Sequence, residues 1–173
     1  MSRILWFTGL SGSGKTTLAR ALKTRLEASR KIVSLVDGDD VREKHATPLG
    51  FSRDDIRKNN RLLAELALKQ SADNDFVLVS AISPYAEDRA NSRALLGDQY
   101  IEVFVDTPLS ICIERDVKGL YAKGKRGEME IIGMSDNRPY ERPERPDIRI
   151  SAETSVHKSI EKLWTEMRAK KLI

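Results

Sequence analysis

Eight residues, Gly9, Leu10, Ser11, Gly12, Ser13, Gly14, Lys15 and Thr16, match the pattern G-x-x-x-x-G-K-[ST]. The chemistry of that spacing is polyphosphate binding. Glycines let the backbone wrap closely enough for successive N–H groups, and then the N-terminus of the next helix, to point at negative charge. Lys15 is placed to reach the β- and γ-phosphates of a nucleoside triphosphate, and the Thr16 hydroxyl to ligate Mg2+. The flanks agree, because the apolar run RILWFT (3–8) precedes the loop and the helical pattern KTTLARALKTRLEA follows it.

Carboxylates come next, in LVDGDDVR (35–42). Asp37 and Asp39 leave the carboxyl end of a second apolar strand, where ligands of parallel sheets collect. A carboxylate there accepts a proton from an attacking hydroxyl or holds magnesium-bound water. The competing role is capping: Asp39 or Asp40 would cap a helix beginning at Val41. Arg42 is a plausible phosphate fork. In VSAISPYAEDR (79–89) the third strand ends beside the same crevice, so backbone groups of Ile82 and Ser83 are expected to contact substrate. The Ser83 hydroxyl is chemically a nucleophile, but no His lies near it in sequence, and Ser before Pro is an ordinary turn signal.

The elements that must position these groups alternate. Apolar runs at 3–8, 31–37, 75–80, 100–106 and 147–151 are separated by helical patterns at about 15–29, 52–73, 85–97, 108–116 and 153–170. Near-continuous apolar strands separated by helices predict an α/β fold, a doubly wound five-stranded parallel sheet of the P-loop kinase kind. At 173 residues, with no repeat and no linker, one domain is expected. Residues 117–146, rich in Gly, Pro, Lys and Arg, are too long for an ordinary connection and read as a basic lid loop.

Composition narrows the classes. Lys plus Arg exceed Asp plus Glu by 30 to 26, but the charges are interspersed and the most basic tract, KGLYAKGKRG (118–127), lacks interleaved aromatics. Nucleic-acid binding is therefore not expected. The lone Cys112, in LSICIE, reads as a buried structural thiol. No apolar run approaches the roughly 18 residues of a membrane span, and the N-terminal run is too short for a signal peptide, so a cytoplasmic protein is expected. A switch GTPase is disfavoured because no N-K-x-D guanine reader is present and DVKG (116–119) follows a helix.

The motifs GLSGSGKTT, DGDDVR, GFS, AISPY, EVFVDTPL and RDVKGLYAK occur in an order and spacing that resembles adenylylsulfate kinases over residues 3–151. The resemblance implies transfer of the ATP γ-phosphoryl group to the 3′-hydroxyl of adenosine 5′-phosphosulfate (APS), a step of sulfate assimilation, with ATP and Mg2+ as cofactors. Carried over by position, Gly9 to Thr17 would hold ATP, with Thr16 on magnesium. Asp39 would be the metal-assisting or base carboxylate, supported by Asp37. Arg42, Phe51, Asn59, Ile82, Ser83, Lys118, Gly119 and Leu120 would form the acceptor pocket, and Ser83 matches a serine proposed to be phosphorylated in some members. Homodimer formation, as in relatives, is a further implication. The partners expected are small nucleotides.

Two positions depart from the family pattern. Ile56 stands where an arginine follows the aspartate, with the basic residue moved to Arg57; Ile132 stands where an aromatic stacks on the acceptor base. Arg57 is expected to be an incomplete substitute grip and Ile132 an apolar contact without stacking, worth ~1–3 kcal/mol less per base. A kinase for a different diphosphate-like nucleotide acceptor and a non-catalytic nucleotide-binding regulator remain the alternatives. The stretch GFSRDDIRKNNR (50–61) reads as a helix capped by Ser52, with Asn59 and Asn60 facing a polar cleft and Arg57 with Arg61 awaiting an anion.

Overall fold

The computed structural model describes residues 1–45, 49–152 and 155–173. In chain order the elements are β1 (Arg3–Thr8), α1 (Lys15–Ala28), β2 (Val33–Asp37), α2 (Gly38–Lys44), α3 (Arg53–Gln70), β3 (Phe76–Ser80) and α4 (Ala86–Leu96). A 3-10 turn (Gly97–Gln99) leads to β4 (Tyr100–Val105), α5 (Leu109–Arg115), α6 (Leu120–Lys125), β5 (Ile148–Ile150) and α7 (Val156–Ala169). The predicted start of the last helix at 153 lies outside the described residues.

Alternate residues of β1 serve opposite layers, as strand geometry requires. Leu5 and Phe7 pack with Leu18, Leu22 and Leu26 of α1 and with Ile160, Leu163 and Met167 of α7. Ile4 and Trp6 pack with Leu63, Ala64 and Ala67 of α3 and with Leu96 of α4. Both faces of the strand are thus covered by helices, which is why its sequence is apolar throughout.

The sheet order is β2-β3-β1-β4-β5 and every pairing is parallel. The five-stranded doubly wound sheet is as expected. Its register sets Asp37 beside Ser80 and Ser80 beside Phe7, so the carboxyl ends of β2, β3 and β1 open together. Among the described residues no helix is long and apolar enough to cross a membrane.

The 117–146 stretch is more ordered than a loop. It contains α6, and Tyr121 and Ile131 bury themselves with Cys112, while Leu10, Leu120, Met129 and Met134 pack around them. The insert therefore shares a small apolar core with Cys112 of α5 and Leu10 of the glycine loop. Cys112 is a free, fully buried thiol whose burial pushes its pKa up.

Candidate active site

The glycine loop joins β1 to α1. Gly12 has φ 73, and a Cβ there would lie 3.1 Å from the Cys112 carbonyl oxygen. Gly14, with φ 99, is the N-cap of α1 and offers no capping side chain, and the helix has no acidic residue in its first turn. The leading N–H groups of α1 are left for an anion. Thr107 Oγ1 donates to the Ser13 carbonyl at 2.8 Å, and Ser13 N donates to the Leu10 carbonyl at 3.2 Å, so the loop is braced from both sides. Lys15 is 8% exposed and its Nζ donates to the Leu10 carbonyl at 2.7 Å. Burial, and then the like charge of Lys118, lower its pKa to about 8.

Asp37 corrects the capping expectation. Helix α2 begins at Gly38, not Val41, and its N-cap is Asp37, whose Oδ1 accepts from Asp39 N at 3.0 Å. Asp40 is a solvated surface acid 4.0 Å from Lys44. The other Asp37 oxygen accepts from Thr16 Oγ1 at 3.1 Å, and the Thr16 and Ser80 hydroxyls are 2.9 Å apart. With Thr16 donating to Asp37, Ser80 is the donor to Thr16, which leaves one Thr16 lone pair free for a cation. That pair, together with Asp39, is an oxygen-only donor set of the kind Mg2+ takes alongside phosphate oxygens. Asp39 itself is half-exposed and accepts from Lys118 Nζ.

These groups line one cleft of about 800 Å³ across the carboxyl edge of the sheet. Of the residues singled out in the sequence, Ser11, Gly12, Gly14, Lys15, Thr16, Thr17, Asp37, Asp39, Arg42, Phe51, Ile82, Lys118 and Leu120 reach it. Over β2 and β3, the Arg42 guanidinium lies 4.4 Å above the Phe51 ring and donates to the Gly50 carbonyl. Over β4 and β5, Arg115 donates to the carbonyls of Gly12 and Ala152, beside Val156 and Ser159. Ser80, Arg115, Val156 and Ser159 were not identified from sequence. Serine at a strand's carboxyl end and a cation in the last turn before the insert were the available signals.

Several expected residues lie elsewhere. Arg57 sits one helical step from the buried Ile56 and so turns away from the cleft; its guanidinium lies 3.4 Å from Glu87, 3.7 Å from Asp54 and 3.9 Å from Asp88. Arg61 pairs with Glu65 at 2.9 Å. The anions these cations require are supplied by α3 and α4. Asn59 and Asn60 are buried rather than cleft-facing: Asn59 Nδ2 donates to the Gly38 carbonyl at 3.2 Å, and Asn60 Nδ2 to the Ile56 carbonyl at 2.9 Å.

Ser83 is 2% exposed, with φ 45. Its Oγ donates to Asn60 Oδ1 at 2.6 Å and accepts from Trp6 Nε1 at 2.9 Å, so its proton has a neutral acceptor and no base. Ile132 is 8% exposed and is not part of the cleft wall. Gly119 contributes through its backbone, as the left-handed N-cap of α6.

Comparison with known proteins identifies the family. A family model described as adenylylsulphate kinase matches residues 1–151. An adenylyl-sulfate kinase of Chloroflexus aurantiacus is 51% identical over 148 residues, covering 85% of this chain and 78% of that one. One from Yersinia pestis is 45% identical over 172 residues, covering 98% and 80%. A solved structure of the Mycobacterium tuberculosis APS kinase in complex with AMPPNP and APS superposes with TM-score 0.89 at 38% identity, covering 96% of this chain and 98% of the other. A phosphate loop at the centre of a parallel sheet, an acid-bearing β2–α2 turn beside it and a match over most of the chain place this protein in the adenylylsulfate kinase family.

Proposed function

We propose that the protein transfers the γ-phosphoryl group of ATP to the 3′-hydroxyl of APS. The observation that carries this reading is one cleft in which the phosphate loop and Asp39 lie between two separate walls. The Arg115, Ala152 and Val156 side is the nucleoside end of ATP; the Arg42, Phe51 and Ile82 side receives the acceptor.

In this reading the α1 amides and Lys15 hold the triphosphate, and Thr16 with Asp39 holds Mg2+. That ion supplies charge neutralisation of the phosphoryl oxygens. Asp39 is oriented by its own amide on Asp37 and accepts the proton of the acceptor hydroxyl. Phe51 presents a face to the acceptor base, while Arg42 and Lys118 meet its anionic groups. Ser83 holds the β3–α4 turn from within and does no covalent work, consistent with in-line transfer that relies on positioning and electrostatics. The insert 117–146 closes over the loop through the apolar core it shares with α5 and Leu10, and excludes water.

The test is ADP release from Mg-ATP with and without APS, in the parent and in Asp39→Asn. The parent should require APS, and the variant should lose about 10²–10⁴-fold in kcat. The outward turn of Arg57 and the burial of Ile56 and Ile132 leave Arg42 and Lys118 as the acceptor cations, which favours one second reading, a nucleotide acceptor with a different terminal group. A panel of 5′-diphosphate-like nucleotides ranked by kcat/KM separates the two.

A further inference from the structure

Lys118 and Asp39, 79 residues apart, meet through a hydrogen bond from Nζ to Oδ2. Their side chains are 54% and 49% exposed, so the pair is open to solvent, screened by salt and readily exchanged. The backbone at each end is held much more firmly. Asp39 N is fixed on Asp37. Lys118 lies in a turn closed by Asp116, whose carbonyl accepts from Gly119 N at 2.8 Å and whose carboxylate accepts from Tyr121 N and Ala122 N, both at 2.9 Å. Tyr121 is in turn tied to the Ser11 carbonyl at 2.8 Å. What Nζ touches is therefore decided by the rotamers of one flexible side chain, with no movement of the insert required.

Asp39 has two cationic suitors. Asp37 is already committed to Thr16 and to the Asp39 amide, so Asp39 is the carboxylate near Thr16 left for a divalent ion. An ammonium and a divalent ion held by one carboxylate repel each other whichever of its two oxygens each takes. Lys118 also lowers the pKa of Lys15, so its charge is felt at the phosphate loop from where it stands.

We propose that Lys118 is an exchangeable counter-cation: it competes with the divalent ion for Asp39, and when displaced it moves to the anionic groups of the acceptor. Metal loading and acceptor binding are then coupled in the favourable direction, and the coupling is reciprocal. Acceptor binding draws Lys118 off Asp39 and so strengthens metal binding. The identity of the acceptor rests on the APS reading; the competition for Asp39 does not.

The experiment uses the full chain and Lys118→Met, which keeps the stem length and removes the charge. Calorimetry gives the Kd of AMPPNP with Mn2+ and with EDTA for both proteins. The advantage conferred by Mn2+ should be about fivefold larger in the variant, because no lysine competes for Asp39. With AMPPNP bound, Mn2+ should tighten APS binding about fivefold or more in the parent and less than about twofold in Lys118→Met. An equal Mn2+ advantage in the two proteins, or undiminished coupling in the variant, overturns the proposal. APS that binds the parent in no arm would sink the acceptor reading, while the Mn2+ advantage still decides the competition for Asp39.

Discussion

The Tyr121 hydroxyl donates a 2.8 Å hydrogen bond to the carbonyl oxygen of Ser11, joining the insert to the phosphate loop across 110 residues of sequence. Leu10, next to Ser11, packs in the same cluster as Tyr121, so the loop is held by both a polar and an apolar contact. Tyr121→Phe keeps the packing and removes the donor. The net worth of such a bond is about 1 kcal/mol. The variant should lose only about 2–4 °C in Tm but, if the bond sets loop geometry, about tenfold in kcat. An unchanged kcat in steady-state assays would show that the loop keeps its shape without it.

Ser83→Ala separates a structural serine from a covalent one. The substitution orphans Trp6 Nε1 and Asn60 Oδ1, both of which rely on Ser83. A loss of about 2 kcal/mol should appear as a Tm lower by roughly 4–8 °C in a chain of this size. Below the transition, kcat should stay within about threefold of the parent, because direct transfer has no step that needs the hydroxyl. A fall beyond about a hundredfold in a folded variant, or a phosphoserine detected by mass spectrometry during turnover, would reverse the assignment.

Lys15 gives ATP binding a pH signature. Its pKa of about 8 lies below the ordinary 10.5, chiefly because burial disfavours the charged form. Phosphate oxygens beside the ammonium favour the charged form and must raise that pKa on binding. At pH about 8.5, calorimetry in buffers of different ionisation enthalpy should therefore report net proton uptake on ATP binding, and Lys15→Met should abolish it. The stability sign is separate. Between about 8 and 10.5 the unfolded chain binds more protons at this site, so the Lys15 contribution to folding stability rises with pH over that window.

Arg89→Met tests the buried ion pair under α4. The Arg89 and Glu102 side chains are 5% and 10% exposed and approach to 3.3 Å, and Arg89 also donates to the carbonyls of Ser83 and Glu141. Breaking such a pair costs about 3–5 kcal/mol because the remaining charge is stranded, which at this chain length is a Tm loss of roughly 6–20 °C. Burial already raises the Glu102 pKa, with Asp147 adding to it and Arg89 and Arg93 opposing. Without Arg89 the native state takes up a proton at Glu102 more readily than the unfolded chain. The Tm deficit should then shrink as pH is lowered from 7 towards 5; a deficit independent of pH would locate the loss in packing instead.

The parts of the site that were legible in the sequence are those in which one residue type has one local job. The GLSGSGKT spacing fixed the loop, and the apolar runs fixed the strand ends that carry Asp37, Asp39 and Ile82. The inward phase of Ile56 was available, since it is the only apolar residue of RDDIRKNNR and lies seven before Leu63. What the sequence did not show is that Glu87 and Asp88 of α4 stand beside Arg57 and that Asn59 and Asn60 find buried partners. Capping was misassigned because three acids and a glycine are adjacent; Asp37 is the one whose side chain accepts from the backbone two residues on, and it also holds Thr16. Ser80 and Arg115 carried only faint local signals, because their significance comes from neighbours 64 and 103 residues away. The insert read as a loop because its apolar residues are too sparse for a period, although together with Leu10 and Cys112 they suffice to close a small core.

The order β2-β3-β1-β4-β5 divides labour across the sheet. Asp37, Asp39, Arg42, Phe51 and Ile82 stand over one half, Arg115, Ala152 and Val156 over the other, and the glycine loop occupies the seam. In the proposed reading the two nucleotides are thus met by different pieces of chain. Substitutions at Arg42 and Phe51 would then retune what is phosphorylated while the phosphate loop keeps its grip on the donor. Lys118 is the exception, a side chain from beyond β4 that crosses the seam to Asp39, and it ties the drift of one half to the constraints of the other.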